Sequence, residues 1–320
     1  MESASREDVL LFAGPANPVL ARAIAGELGM DVAACDFARF PDGEISARIE
    51  PSVRGRHVVL VQPTAPPVND HLMSLLAFTD ACRRSAAASV TAVVPYFGYA
   101  RSDRRQGLRV PVMGSLVAQL MESAGVDHVV TVDVHAPQLE GFFRIAVDNL
   151  TAAPTLADAV RDRIGPNGVV VAPDLGAARL ATTYGRLLGL PVAVVHKLRR
   201  SATEVTSAGI TGDVAGRQCL IVDDMITTGG TVESAVRAVL AARAEPPVVV
   251  AATHGVLTGD AWERLARVGI GELVLTDSIA IEARHRPPTR VVSIAPLLAD
   301  AIRRTSAERI PEPAHLFGSG

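Results

Sequence analysis

The 320-residue chain reads as two α/β domains, each a mostly parallel sheet flanked by helices. Three observations lead there. Apolar β-rich runs alternate with helical stretches along the whole chain, which is the pattern of a doubly wound sheet. The alternation occurs twice in the same order, and the length suffices for two domains that each bury a core.

In the first copy, Val58-Val59-Leu60-Val61 reads as a strand that runs into the turn Gln62-Pro63-Thr64-Ala65-Pro66-Pro67. Leu72, Leu75, Leu76 and Thr79 recur at helical spacing and predict a helix over about 69–85. Strands follow at 90–94 and 129–133. The second copy opens at 169–171 and has a strand at 220–222, followed by a Thr/Gly-rich turn. A helix through Val236, Val239 and Leu240 comes next, then strands at 248–252 and 273–277, the latter standing where 129–133 stands in the first copy. The division near Leu150 to Ala153 gives domains at 1–150 and 151–302 and a tail at 303–320. Residues 291–302 read as a strand and helix able to pack back onto the first domain.

At 48% hydrophobic and 20% charged residues, the composition is globular rather than disordered. A formal net charge of −3 offers no basic field and argues against a nucleic-acid partner. No apolar run approaches the roughly 20 residues of a membrane-spanning helix, and the polar N-terminus lacks a signal-peptide core. Cys35, Cys82 and Cys219 have neither disulfide nor zinc spacing. A cytoplasmic protein without a membrane partner is the expectation.

Chemistry concentrates in Leu220-Ile221-Val222-Asp223-Asp224-Met225-Ile226-Thr227-Thr228-Gly229-Gly230-Thr231. A buried strand ends in two carboxylates, and a loop of small and hydroxyl residues leads into a helix. Backbone N–H groups in such a loop form a nest, and the helix N-terminus adds positive potential, so a phosphate fits there. Asp223 and Asp224 are suited instead to accept from the vicinal hydroxyls of a sugar. Together they describe a ribose-phosphate site. The plain alternative is a strand-to-helix turn in which the Asp pair only caps a helix.

This segment resembles the phosphoribosyl-pyrophosphate loop of type I phosphoribosyltransferases and of ribose-phosphate pyrophosphokinases (PRPP synthases). Phe40-Pro41-Asp42-Gly43-Glu44, Pro95-Tyr96-Phe97-Gly98-Tyr99-Ala100-Arg101, Val132-Asp133-Val134-His135-Ala136, Thr253-His254-Gly255-Val256-Leu257 and Ala295-Pro296-Leu297-Leu298 are similar to the second family, in its order and over nearly the whole chain. The resemblance implies two duplicated type I phosphoribosyltransferase-like domains. It also implies an enzyme that transfers the diphosphoryl group of ATP to the anomeric hydroxyl of ribose 5-phosphate, giving PRPP and AMP.

On the same resemblance, Asp223, Asp224, Thr227, Thr228, Gly229, Gly230 and Thr231 bind ribose 5-phosphate. Phe40 stacks on adenine while Asp42 and Glu44 accept from its amino group. Arg101, Asp103, Arg104 and His135 contact ATP, with Arg105 a solvated neighbour. Asp133, His135 and Asp174 hold Mg²⁺. For His135 the alternative is a satisfied core histidine. Lys197 and Arg199 match a Lys-x-Arg catalytic loop closing over the transferring phosphates, and the polar stretch 201–211 reads as a mobile lid. Lys197 is the one lysine of the chain, which compositional bias alone could leave. A homo-oligomer built from dimers, commonly a hexamer, is implied as well.

Several positions depart from the common bacterial pattern. Arg144 stands in place of an acidic residue, Thr227 in place of Asp, Ala177 in place of Gly, Ser102 in place of Gln, and His196 in place of an acid before Lys197. The C-terminal Pro311-Glu312-Pro313-Ala314-His315-Leu316-Phe317 lacks a serine pair. Such departures raise a second reading, a catalytically weak regulatory paralogue that assembles with an active synthase. Against it, Asp133, His135, Asp174, Lys197, Arg199 and Asp223 all stand.

Overall fold

The computed structural model describes residues 8–105, 107–199, 205–281 and 287–305. The chain divides into two compact units: 8–150 with 278–280 and 293–305, and 151–277 with 281 and 287–292.

The first unit is built on a six-stranded sheet. Its elements are β1 (Val9–Ala13), α1 (Pro18–Leu28), β2 (Val32–Ala33), the hairpin β3 (Cys35–Arg39) and β4 (Ile45–Ile49), β5 (His57–Val61), α2 (Val68–Arg84), β6 (Ser89–Val94), α3 (Met113–Ala124), β7 (His128–Val132) and β8 (Ala146–Leu150). The strand order is β2-β1-β5-β6-β7-β8, and every pairing in it is parallel. Parallel strands covered on both faces need near-continuous apolar runs. Val58 to Val61 in β5 and Val90, Ala92, Val93 and Val94 in β6 are all buried, as that requires. The helices are punctuated locally. α1 has Asn17 accepting from the Leu20 N–H at 3.1 Å, Pro18 in its first turn, and Gly29 at φ 65° to end it.

The second unit holds α4 (Ala153–Val160), β9 (Val169–Ala172), α5 (Ala178–Leu188), β10 (Val192–Arg199), β11 (Val205–Thr211), β12 (Gln218–Ile226), α6 (Gly230–Ala241), β13 (Glu245–Gly255), α7 (Ala261–Val268), β14 (Glu272–Thr276) and β15 (Thr289–Val292). Its order is β11-β10-β9-β12-β13-β14-β15. With β11 set aside, the order β10-β9-β12-β13-β14-β15 repeats that of the first sheet strand for strand. Even a detail recurs. The Asp133 N–H donates to the Leu150 carbonyl at 2.8 Å, and the Asp277 N–H donates to the Val292 carbonyl at 3.1 Å. The duplication is therefore structural as well as sequential.

Three features differ from the sequence reading. The last helix, α8 (Ala295–Thr305), belongs to the first unit, in line with the reading that it packs back there, so the second domain does not run on to 302. It buries Leu298, Ala299 and Ile302, and Arg303 donates to the Glu27 carbonyl at the end of α1. Residues 205–211, read as part of a lid, form β11, antiparallel to β10, because the ladder satisfies backbone groups that a polar loop would leave to water. Residues 201–204 of that lid lie outside the described residues. Finally, β12 does not stop at Val222. It continues through both aspartates because β13 extends beside it, with Asp223 facing Ala252 and Ile226 facing Gly255 in register.

Candidate functional site

In an open parallel sheet the loops after the carboxyl ends of the strands share one edge, and ligands bind there. In the second unit, β9, β10, β12 and β13 deliver the turns at 173–177, the end of β10, the loop at 227–229 and the turn at 256–260 to that edge.

The loop after β12 is tightly specified. Gly229 adopts φ 74° at the start of α6, a left-handed conformation that glycine reaches without steric cost. A β-carbon there would lie 3.4 Å from Leu265 Cγ of α7. The neighbouring turn clips the loop through its backbone. The Leu257 N–H donates to the Ile226 carbonyl at 2.9 Å, and the Thr258 N–H to the Thr227 carbonyl at 3.0 Å. Leu257 itself sits at φ 46°, a strained choice for a non-glycine residue. Thr228 and Thr231 are exposed beside the first turn of α6, where the helix N-terminus favours anions.

Three carboxylates meet at this edge. Asp223 Oδ1 accepts from the Asp224 N–H at 3.0 Å. Burial chiefly, then the charge and hydrogen bonding of Asp224 and the charge of Asp174, push the Asp223 carboxyl up to about 8. Asp174 is exposed at the turn after β9, and its Oδ1 accepts from the N–H groups of Gly176 at 2.9 Å and Ala177 at 3.2 Å. Ala177 in place of Gly thus leaves an intact turn that aims the carboxylate. A carboxyl that burial and neighbouring charge keep protonated is a fit for a divalent cation or for sugar hydroxyl donors. Among the described residues no three His, Cys, Asp or Glu side chains are grouped to hold a metal.

The backbone of β10 brings Lys197 and Arg199 to the same carboxyl edge, Lys197 paired with Ala208 and Arg199 with Val205, with a register shift between Leu198 and Arg199.

In the first unit the candidates stand on three turns. Phe40, Asp42 and Glu44 form the tip of the β3–β4 hairpin. The Phe40 N–H donates to the Glu44 carbonyl at 2.8 Å, Asp42 Oδ1 accepts from the Glu44 N–H at 3.1 Å, and Gly43 turns the chain at φ 97°. The hairpin rests on α2, with Phe37 stacked on Phe78 at 5.8 Å and Arg39 paired with Asp70. Phe40 remains 50% exposed.

After β6, Arg101 and Arg104 are exposed, whereas the Asp103 side chain is only 10% exposed and accepts from Gln138. Ser102 serves its own turn, its Oγ accepting from the Met113 N–H at 3.1 Å. After β7, Asp133 sits at φ 39°, and the Val134 N–H donates to Asn149 Oδ1 at 3.2 Å. His135 is exposed, so it is not a core histidine.

The sequence reading missed Glu233, Asp260 and Arg264. Glu233 lies in the first turn of α6, next to the loop, and pairs with Arg237 and Arg264. Spacing of four links Glu233 to Arg237 and Asp260 to Arg264. The bond that joins the two helices, Glu233 to Arg264, has no local signature.

Residues 9–125 match the family model described as the N-terminal domain of ribose phosphate pyrophosphokinase. Residues 201–310 match that of the phosphoribosyl synthetase-associated domain. The chain is 45% identical over 304 residues to a ribose-phosphate pyrophosphokinase of Agrobacterium fabrum, covering 93% of this chain and 97% of the relative. It is 42% identical over 294 residues to that of Campylobacter jejuni, covering 92% and 94%. Its fold is similar to the crystal structure of phosphoribosylpyrophosphate synthetase from Mycobacterium smegmatis, with a TM-score of 0.85 and 39% identity over 94% of this chain and 99% of the other.

Proposed function

This chain belongs to the ribose-phosphate pyrophosphokinase family, and from that premise we propose how its residues divide the work of transferring the diphosphoryl group of ATP to ribose 5-phosphate. The products are 5-phosphoribosyl 1-pyrophosphate and AMP. The anomeric hydroxyl oxygen forms the new bond to the β-phosphorus, the α,β-bridging bond breaks, and the hydroxyl proton leaves.

One observation carries the assignment: β12 continues through Asp223 and Asp224 into a Gly229-capped helix start, placing hydroxyl acceptors beside a phosphate cradle. The loop 227–231 holds the 5-phosphate through backbone N–H groups and the Thr228 and Thr231 hydroxyls. Asp223 and Asp224 accept from the ribose hydroxyls, which fixes the direction of the anomeric oxygen. Phe40 stacks on adenine at the hairpin tip, and Asp42 and Glu44 receive its amino group. Arg101 and Arg104 offer guanidinium groups to the ATP phosphates, with Asp103 held by Gln138 at their base, and His135 adds a further contact.

Asp133 and His135 in the first unit, and Asp174 in the second, are residues that would each contact Mg²⁺. The ion, when bound, neutralises polyphosphate charge. Lys197 and Arg199 place cations where negative charge shifts during transfer, so their contribution belongs to the transition state. Assembly into dimers, and of dimers into a hexamer, completes the reading.

The reading as a regulatory paralogue draws no support, since the relatives are themselves ribose-phosphate pyrophosphokinases. The test is AMP formation from ATP and ribose 5-phosphate, with and without Mg²⁺. Turnover dependent on both the sugar phosphate and the metal is expected. Folded protein that forms no AMP above background would end the proposal.

A further inference from the structure

Glu233 presents an electrostatic difficulty. Its carboxylate sits in the first turn of α6, four residues beyond Gly229 and on the same positive helix end that is to receive a phosphate dianion. An unpaired carboxylate there competes with the ligand for that potential. The Glu233 side chain is 14% exposed.

The structure meets this with two guanidinium groups. Arg237 Nη2 lies 2.8 Å from Glu233 Oε1, and Arg264 Nη1 lies 2.8 Å from Glu233 Oε2. Hydrogen bonds from Arg237 first and then Arg264 hold the Glu233 carboxyl below its usual range. Arg237 is a neighbour on the same helix. Arg264 comes from α7, and its Nη2 also grips Asp260 at 3.0 Å to Oδ2 and 3.3 Å to Oδ1. Asp260 directly follows the 256–259 turn whose backbone clips Ile226 and Thr227, and Ala261 and Leu265 lie against Gly229. One side chain therefore joins the phosphate loop's helix to the turn that braces the loop.

We propose that Arg264 is a positioning residue for ribose 5-phosphate. It cancels the charge of Glu233 and ties the start of α7 to α6, so that the loop at 227–229 keeps its donors and its positive potential for the sugar's phosphate. The inference rests on the reading of that loop as the ribose 5-phosphate site. Arg264 touches no reactant. Its effect falls on binding of one substrate and not on the chemical step.

The experiment is steady-state kinetics on the full chain, with each substrate varied in turn. Arg264→Ala is expected to raise the KM for ribose 5-phosphate about fivefold, the size of one uncancelled charge near a dianion at about 10 Å in high dielectric. The kcat and the KM for ATP should stay within about twofold. Glu233→Gln in the Arg264→Ala background is expected to return the KM to within about twofold of the parent. A merely structural brace would not be repaired by removing a second bonding partner.

An unchanged KM in Arg264→Ala, or a double variant no better than the single one, overturns the proposal. If Arg264→Ala fails to fold, Glu233→Gln alone decides. An equal or lower KM supports the proposal, and a raised one overturns it. Thr228→Val separates the two levels. If it leaves the KM for ribose 5-phosphate unchanged, the loop assignment itself is wrong. If it raises the KM while Arg264→Ala does not, only the role of Arg264 is lost.

Discussion

Asp223 titrates near 8 because burial and the neighbouring Asp224 and Asp174 charges all disfavour its anion. An ordinary unfolded aspartate titrates near 3.8. Between those values the folded state binds the extra proton, so stability is greatest below about 4, falls as pH rises, and levels off above about 8. Asp223→Asn removes that dependence. In chelator, the variant should melt ~5 °C higher than the parent at pH 8.5 and within a degree of it at pH 4. Equal melting temperatures at both pH values would show that the carboxylates do not repel one another. Lys197 carries the opposite expectation, an effect on rate without one on stability. Lys197→Ala should lose about a thousandfold or more in kcat while ATP binding changes little, because the charge acts on the moving phosphates. A loss confined to ATP affinity, measured by equilibrium binding, would contradict that role.

At the scale of elements, the legible parts were those whose signal is local. Strands such as β6 and β7 announce themselves through runs of Val, and α2 through its Leu spacing, so both were read within a residue or two. The strand-to-helix turn after β12 was legible because small residues, hydroxyls and paired carboxylates crowd into twelve positions. The β3–β4 hairpin was less so, since Cys35-Asp36-Phe37-Ala38-Arg39 is half-exposed and mixes polar with apolar residues. β11 looked like a loop because its pairing partner, β10, decides its state. The Glu233–Arg264 bond joins residues 31 apart, a distance no spacing rule spans. The loop's own rigidity is testable at Gly229. Alanine there meets an unfavourable positive φ, while Leu265 at 3.4 Å is an ordinary contact. Gly229→Ala should cost about 1–2 kcal/mol in urea unfolding and raise the KM for ribose 5-phosphate. A variant as stable and as active as the parent would mean that the loop does not depend on its left-handed turn.

For the whole molecule, the matching strand orders show one fold used twice and given different work. The second unit keeps the Asp-Asp loop after β12. At the same place in the first unit, after β5, stand Gln62-Pro63-Thr64, where Gln62 is wholly buried and accepts from the Ala16 N–H at 3.2 Å. One copy thus packs that turn into its own fold, and the other leaves Thr228 exposed. Among the departures from the family pattern are those in the turn that begins at Arg101 and in the tail at 311–317, which lies outside the described residues. Ser102 illustrates the change: its hydroxyl caps Met113 at the start of α3, a contact within the fold. The resemblance to the family implies that these two segments line a phosphate/ADP regulatory site. Weak control is therefore expected here. ADP titrated at saturating ATP should inhibit only by simple competition, with relief by further ATP. Steep cooperative inhibition that more ATP does not relieve would show that a separate regulatory site persists despite the altered residues.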